Sequence, residues 1–498
     1  MLYSVNSNLP GVKSVFTSEE VAPTSSSTII PMFPVAINNT YAQSTATVSG
    51  VANTALDVVA FTASANLAAN EYAGQFVEVD FATPEVRTVS QHAATVSGAT
   101  CTMYMSRPFT QACDADNTSI DIRTWEGYNI PKLYSSVNSF AEEHLEKNAA
   151  GTPNWTGSEA AYYTLSEFKA NGGTLFYACP VKLVTATDTG SGLAAKLGAT
   201  LTADTTFLAK MLSISPQPDL ICISKQPSLY VLPAASDWAA CDGAWNTYVA
   251  SRSSDDTVDD SLRLITYISD TPTAVASTAV TYRATTLNSS TEKMSLYHGQ
   301  YMTNSLTRGR LQAVNIASAI CGLINRTSTS APESFGHAFD GKNYMSLFNL
   351  GMVEQGLTPA DRLTLISNGI NPLISKPAQG SWIESQFTQK KNTSSVAADP
   401  IESLHVVIGR AKIWNGLQPI LNSIISEPNV SSARSALIGR VDSYMSQVET
   451  AQIITGYTLS DVTSSADAQT GVVRFELSVA FAREVDFVEL KLNASFGA

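Results

Sequence analysis

Charge is scarce in this chain. Only 15% of its 498 residues are Asp, Glu, Lys or Arg, against roughly 25% in an average soluble domain. Basic residues are the rarer kind: 30 Lys and Arg stand against 43 Asp and Glu, for a net charge of −13. A surface that neutralises phosphates needs the opposite balance, so neither nucleic acid nor an anionic membrane is an expected partner. Long apolar runs are missing too. No stretch reaches the roughly 18 apolar residues of a membrane span, so direct membrane insertion is not expected. The opening Met1-Leu2-Tyr3-Ser4-Val5-Asn6 has no basic segment and no apolar core, so a secretory leader is not expected either.

The side chains that carry most chemistry are few and scattered. The six cysteines, Cys101, Cys113, Cys179, Cys222, Cys241 and Cys321, show no short paired spacing of the zinc or redox kind; they read as reduced and mostly buried. No two of His92, His144, His298, His337 and His405 stand four residues apart, as a helical zinc pair would. Glu142-Glu143-His144 lacks a second histidine, and His144 reads as an exposed helix residue, His405 as packing. Gly190-Ser191-Gly192 is a loose echo of a dinucleotide fingerprint without the tight strand-to-helix turn that motif needs. Phe339-Asp340-Gly341-Lys342-Asn343 lacks the upstream glycine and following Ser/Thr of a phosphate loop. There is no Gly-x-Ser-x-Gly elbow. Asp255, Asp256, Asp259 and Asp260 lack the glycine of a calcium loop and read as a solvated loop. The residues therefore argue against an enzyme and for no cofactor and no metal.

What the chain does have is apolar content, 44% of residues in 53.0 kDa, enough for several cores and two to four domains. The first forty residues read as an extended arm. Leu9-Pro10-Gly11-Val12 is turn chemistry, Pro23, Pro31 and Pro34 forbid a long helix, and Thr28-Ile29-Ile30 can pair as a strand. From Tyr41 to Arg123 the chain reads as β: Gln75 to Phe81 alternates apolar and polar strictly, and Thr102 to Ser106 more weakly. Ala46-Thr47-Val48-Ser49-Gly50 returns as Ala94 to Gly98, but two copies are too few for a solenoid. A small sandwich or barrel is expected there.

Helix signals follow. Ser139 to Glu142 and Thr156 to Glu159 both read as capping boxes, and Asn171-Gly172-Gly173 as a left-handed stop after a helix over 160–170. Strands are expected at Thr174–Cys179, Asp219–Ile223, Leu262–Ile268 and Lys293–Tyr301, and helices at Ser236–Ala250 and Arg310–Asn325. That alternation argues for an α/β layer. Near the end, helices are expected over Leu404–Ser426 and Ser432–Glu449, then alternating strands over Val473–Phe481 and Val488–Asn493. Extended segments at both termini cannot satisfy their own ladder hydrogen bonds. They pair either within the subunit or with a neighbour.

Taken in order, several pieces of this chain resemble the tail sheath proteins of contractile bacteriophages. They are Leu9-Pro10-Gly11-Val12, then Ile130-Pro131-Lys132-Leu133-Tyr134-Ser135-Ser136 with Phe140, then Glu167-Phe168 through Asn171-Gly172-Gly173-Thr174-Leu175-Phe176-Tyr177. Toward the end they are Glu427-Pro428-Asn429, Gly456-Tyr457, the strand ending at Phe481, and Arg483-Glu484-Val485-Asp486-Phe487-Val488. The resemblance implies a multidomain α+β and α/β protein. Residues 1–40 would be an N-terminal arm and first core strands, and 41–125 a β-rich inserted outer domain. Residues 126–400 would be a central α/β sheath domain, and 401–498 an inner domain of helices plus strands with a terminal arm.

It also implies a structural subunit and not an enzyme, stacking as hexameric rings around an inner tail tube, bounded by baseplate and tail terminator proteins, and contracting to drive the tube through a cell envelope. The particle would be a virion assembled in the host cytoplasm, or a phage-derived injection system. A non-contractile shell or decoration protein is the alternative. The strands donated between subunits would come from an N-terminal arm, with Leu2, Tyr3, Val5, Val12 and Val15, and a C-terminal arm, with Val485, Phe487, Val488, Leu490 and Leu492. Lys412, Arg434 and Arg440 are the candidate tube contacts, since exposed pairs worth at most about 1 kcal/mol suit a contact that must release.

Overall fold

The computed structural model describes residues 29–38, 44–47, 55–63, 66–79, 81, 85–113, 119–123, 128–144, 159–183, 190–201, 214, 218–226, 234–253, 265–288, 291–304, 311–330, 356–376, 380–391, 403–423, 430–450, 454–469 and 473–481. The protein is a mixed α/β multidomain fold.

The first strand, β1 (Pro31–Asn38), lies at the centre of the largest sheet and not at a sheet edge. Next comes an antiparallel six-stranded sheet of β2 (Ser44–Thr47), β3 (Val58–Thr62), β4 (Phe76–Val79), β5 (Glu85–His92), β6 (Thr100–Met105) and β7 (Ser119–Arg123), in the order β2-β7-β4-β5-β6-β3. Its alternating residues Val77, Val79, Cys101, Met103, Met105, Ile120 and Ile122 are buried in a core of their own with Phe61 and Phe109, as the period-two pattern requires. Of the first copy of the pentapeptide echo, residues 48–50 lie outside the described residues. Ala46-Thr47 ends β2, whereas in the second copy Thr95 bridges Leu67 and Gly98 turns at φ 81.

The chain then builds the large sheet with β8 (Lys132–Tyr134), α1 (Val137–His144), α2 (Glu159–Ala170), β9 (Phe176–Leu183), α3 (Gly190–Thr200), β10 (Leu220–Ile223), α4 (Ala235–Ser253) and β11 (Thr266–Asp270). It continues through α5 (Ala276–Thr281), a π turn at Tyr282–Leu287, β12 (Met294–His298), the hairpin β13 (Gln300–Asn304) and β14 (Leu311–Asn315), α6 (Ala317–Ser330), α7 (Pro359–Ser367), β15 (Ile370–Lys376) and β16 (Gly380–Ile383). The sheet order is β16-β15-β12-β11-β10-β1-β9-β8, parallel from β15 to β9 and antiparallel only at the two edge pairs.

Both faces of this sheet are covered, which is why its strands read as continuous apolar runs. Along β1, Phe33, Val35 and Ile37 enter one core with α1, α2 and α6. Met32 and Ala36 enter the other, with Leu197 of α3 and Trp238, Cys241 and Trp245 of α4. A central strand with two prolines is unusual. Here β10 pairs only with Pro31 and Met32, so Pro34 lies beyond the end of that ladder.

Several expectations are corrected. Arg310–Asn325 is not one helix, because Leu311–Asn315 pairs with β13 and the helix starts at Ala317. The Lys293–Tyr301 run breaks at Gly299, at φ 148, into β12 and β13. Ser139 lies inside α1. The N-terminal bond comes from Asn138 N to Ser136 Oγ at 3.1 Å. Gly172 takes the expected left-handed φ of 93 after α2.

The last layer is α8 (Leu404–Asn422), α9 (Ser431–Thr450), β17 (Ile454–Asp461), α10 (Ser465–Gln469) and β18 (Phe475–Phe481). Leu404, Ile408, Ile413 and Leu417 of α8 and Leu437, Val441, Met445 and Val448 of α9 join the same core as α2 and α6. The α9 spacing of four, four and three places that stripe on one helical face.

Candidate functional site

The feature that stands out among the described residues is the β17–β18 ribbon. It is a two-stranded antiparallel sheet running from Ile454↔Phe481 to Asp461↔Phe475, and neither outer edge is paired within the described residues. Two strands alone are marginal in water. This pair is held from one side: Tyr457, Leu459, Phe475, Leu477, Val479 and Phe481 pack on the core beneath. Tyr457 Oη donates to Asp442 Oδ1 of α9 at 2.6 Å. Arg434 of α9 pairs with Asp461 at 2.9 Å.

The connection between the two strands is closed locally. Asp467 N donates to Ser464 Oγ at 3.1 Å, the Asp467 carboxylate accepts from Ser464 N and Oγ, and Arg474 reaches Asp467 at 2.9 Å. The Ser464 bond, helped by Arg474, holds the Asp467 carboxyl down at about 2. A bond from Thr463, joined by Arg434, also holds Asp461 below the usual carboxylate range. The ribbon is thus a fixed platform whose two edges are open within the described residues, the arrangement that accepts an added strand.

The arm residues Leu2, Tyr3, Val5, Val12, Val15, Val485, Phe487, Val488, Leu490 and Leu492 lie outside the described residues, as do the acidic cluster at 255–260 and the turn at 339–343. Of the three candidate tube contacts, Arg434 and Arg440 are on α9. Arg440 is exposed, its Nη1 on Ser423 Oγ at 2.9 Å. Lys412 is not on a surface: it is buried in α8 with its ammonium 2.7 Å from Asp219 Oδ1, and Asp219 Oδ2 also accepts from Ile30 N. That pair ties α8 to the start of the sheet.

The carboxyl end of the parallel strands is where open α/β sheets usually take ligands. Here the chain's own side chains fill it. Asp270, ending β11, accepts from Ile316 N and Ala317 N at 3.1 and 2.8 Å, so a buried carboxylate occupies the N-terminus of α6. Burial pushes its carboxyl up to about 6 despite those donors. Lys225, after β10, is fully buried and spans Asp242 at 2.6 Å, Ser269 Oγ at 2.9 Å and the Asp270 carbonyl at 2.5 Å. Asp242 also accepts from Tyr267 Oη and Tyr282 Oη at 2.7 and 2.5 Å. These partners satisfy one another and lock β10, β11, α4 and the π turn together.

His298 Nδ1 lies 2.8 Å from Thr271 Oγ1 in the same region. Sequence reading missed the Lys225–Asp242 pair, since two ordinary residues seventeen apart carry no motif. His144 is a correction as well: it is buried at 3% exposure, its Nε2 2.6 Å from Tyr134 Oη. His405 is buried and all six cysteines are buried and free, as expected. Among the described residues no group of three or more His, Cys, Asp and Glu side chains could hold a metal.

No family model matches the sequence, and no curated protein matches it. Solved structures do match over nearly the whole chain. A chain of the anti-feeding prophage baseplate, in a six-fold symmetrised cryo-EM structure, is 13% identical over 98% of this chain and all of its own, with a TM-score of 0.56. The helical sheath of the same particle in its contracted state gives 14% identity, 99% of each chain and 0.53. The contracted PVC sheath complex of an extracellular contractile injection system gives 10%, 99% of this chain, 98% of that chain and 0.54. The chain therefore has the contractile sheath fold.

Proposed function

We propose that this protein is the structural subunit of a contractile sheath, stacking as six-fold rings around an inner tube and shortening to drive that tube through an envelope. The observation that carries this reading is the β17–β18 ribbon, anchored on α9 and open along both edges within the described residues, in a chain that matches contracted sheath structures over 99% of its length. Strands donated by neighbouring copies, residues 2–15 of one and 485–492 of another, would complete a mixed sheet on that ribbon. Each added main-chain bond contributes a net of about 1 kcal/mol, enough to keep subunits linked while they rotate as rigid bodies. Contraction on this reading consumes no nucleotide. It releases energy held by a lattice with fewer contacts.

The chain would work with itself, a tube protein, a baseplate and a terminator. Arg434 and Arg440 remain proposed tube contacts; the buried Lys412–Asp219 pair belongs to the protomer's interior. The PVC neighbour comes from an extracellular contractile injection system, which favours that setting over an infectious virion.

Overexpressed protein viewed by negative-stain electron microscopy tests the reading: striated hollow cylinders are expected. Only monomers or closed shells across a range of salt and pH would contradict it and favour a non-contractile shell or decoration protein.

A further inference from the structure

Cys222 and Cys321 come from distant parts of the chain and meet inside the main core. Along β10, Leu220 and Cys222 face the core that holds α6, while Ile221 and Ile223 face the other side of the sheet. On α6, Ala317, Cys321 and Asn325 follow one another at intervals of four, so they share one helical face.

Both ends of that face are tied to the sheet. Asp270, ending β11, accepts from Ala317 N at 2.8 Å, and Asn325 Nδ2 donates to Ile29 O, just ahead of β1, at 2.7 Å. Because β10 lies between β11 and β1, a helix anchored on those two strands crosses β10 near its own middle, where Cys321 stands. The Asp270 carboxylate also accepts from Lys225 N at 3.2 Å, which fixes the end of β10 relative to α6. The Cys222 and Cys321 thiols are in hydrogen-bond contact, and both residues are fully buried and free.

We propose that Cys222 and Cys321 form a redox site, a thiol pair that a hydroperoxide converts into a disulfide joining β10 to α6. One thiol reduces the peroxide: its O–O bond breaks, leaving a sulfenic acid on that sulfur and releasing one water. The second sulfur then attacks the sulfenic sulfur, the S–S bond forms and a second water leaves. Two thiols and one hydrogen peroxide thus give one disulfide and two waters, with both electrons passing to the peroxide.

Burial holds the Cys222 thiol well above the ordinary thiol range, and the thiolate is the form that reacts. The closed core is therefore slow to oxidise, and the reaction proceeds when α6 lifts from β10. The anchors on either side of Cys321 return the pair to contact as the helix closes, so the crosslink fits the native fold. The two residues stand about 100 apart in sequence, and closing so long a loop stabilises the folded chain. A reducing compartment keeps the pair as thiols. The site lies within one protomer, so it stands apart from the sheath reading.

Hydrogen peroxide at neutral pH, applied to the full chain in water and in urea just below its unfolding transition, tests this once free thiols are alkylated and peptides mapped by mass. The expected product is a linked pair of peptides carrying Cys222 and Cys321, two hydrogens lighter than the separate peptides and parted again by dithiothreitol. It should form about fivefold faster or more in the urea, where the core opens more often. The oxidised chain should keep its circular dichroism and unfold at a higher urea concentration, and Cys321→Ala should lose both the linked peptide and that rise.

The mapping needs no variant, so a Cys321→Ala chain that fails to fold leaves the test intact. Cys222 joined to a different cysteine, both residues still alkylated after prolonged exposure in the urea, or each carried separately to sulfinic acid would overturn the proposal. So would a crosslinked chain whose urea midpoint is unchanged or lower.

Discussion

Replacing Asp242 with Asn keeps the shape of the buried centre and removes its charge. Lys225 Nζ, fully buried, then loses the counter-charge 2.6 Å away, and the hydroxyls of Tyr267 and Tyr282 face an amide in place of a carboxylate. Breaking one side of a buried ion pair costs about 3–5 kcal/mol, a large share of the roughly 5–15 kcal/mol that holds a domain folded. Lys225→Met in the same chain removes the stranded ammonium, so the double variant should recover more than half of the loss.

The assay is built in. Trp238 and Trp245 stand on α4 with Asp242, and Lys225 Nζ lies 5.6 Å from the Trp238 ring, so tryptophan fluorescence reports urea unfolding of this centre. A loss below about 1 kcal/mol for Asp242→Asn, the range of an exposed pair, would refute the reasoning. So would a double variant as unstable as the single one.

Other expectations concern the same core and the termini. Burial holds His298 down to about 4 and His144 to about 3, against an ordinary 6.5, so both stay neutral when folded. Their contribution is present above pH 6.5 and lost as the pH falls toward 4, because the unfolded chain takes protons the folded chain refuses. His298→Gln should flatten the acid limb of urea stability by up to about 1.4 kcal/mol per pH unit, partly offset by Asp270, whose raised value adds stability between about 6 and 3.8 as it protonates. A Cβ on Gly322 of α6 would strike the Phe168 carbonyl of α2. Gly322→Ala should therefore cost about 1–3 kcal/mol by overpacking, read as a lower urea midpoint. Deleting residues 1–15 should leave the circular dichroism of the core unchanged and block polymerisation; normal cylinders from the truncated chain would remove the arm from the account.

The sequence made the covered strands legible because apolar runs and Gly-Gly stops are local signals. Asp219-Leu220-Ile221-Cys222-Ile223 and Asn171-Gly172-Gly173 each carry their reason within a few residues, and the α9 stripe carries its own period. The failures are non-local. Leu311-Gln312-Ala313-Val314 fits either period, and only its partner β13 makes it a strand. The prolines of β1 read as an arm, yet the strand is central, its pairing with β10 stopping at Met32, short of Pro34.

Lys412 and His144 read as surface residues on helices. Their burial follows from Asp219 and Tyr134, whose positions no spacing reveals. The candidate assembly site was legible only in part: Val473 to Phe481 was visible as an alternating strand, while its pairing with β17, and edges left open within the described residues, came from the fold. Lys225 and Lys293, two of the three lysines buried among the described residues, carried no signal of burial in the sequence.

The account's central claim is strand donation onto the ribbon, and a cryo-EM reconstruction of the assembled protein at side-chain resolution tests it most directly. The expected result is a strand from another copy hydrogen-bonded along an edge of Ile454–Asp461 or Phe475–Phe481. An assembly whose copies meet elsewhere, with both ribbon edges unpaired or covered by the same chain's own termini, would contradict it.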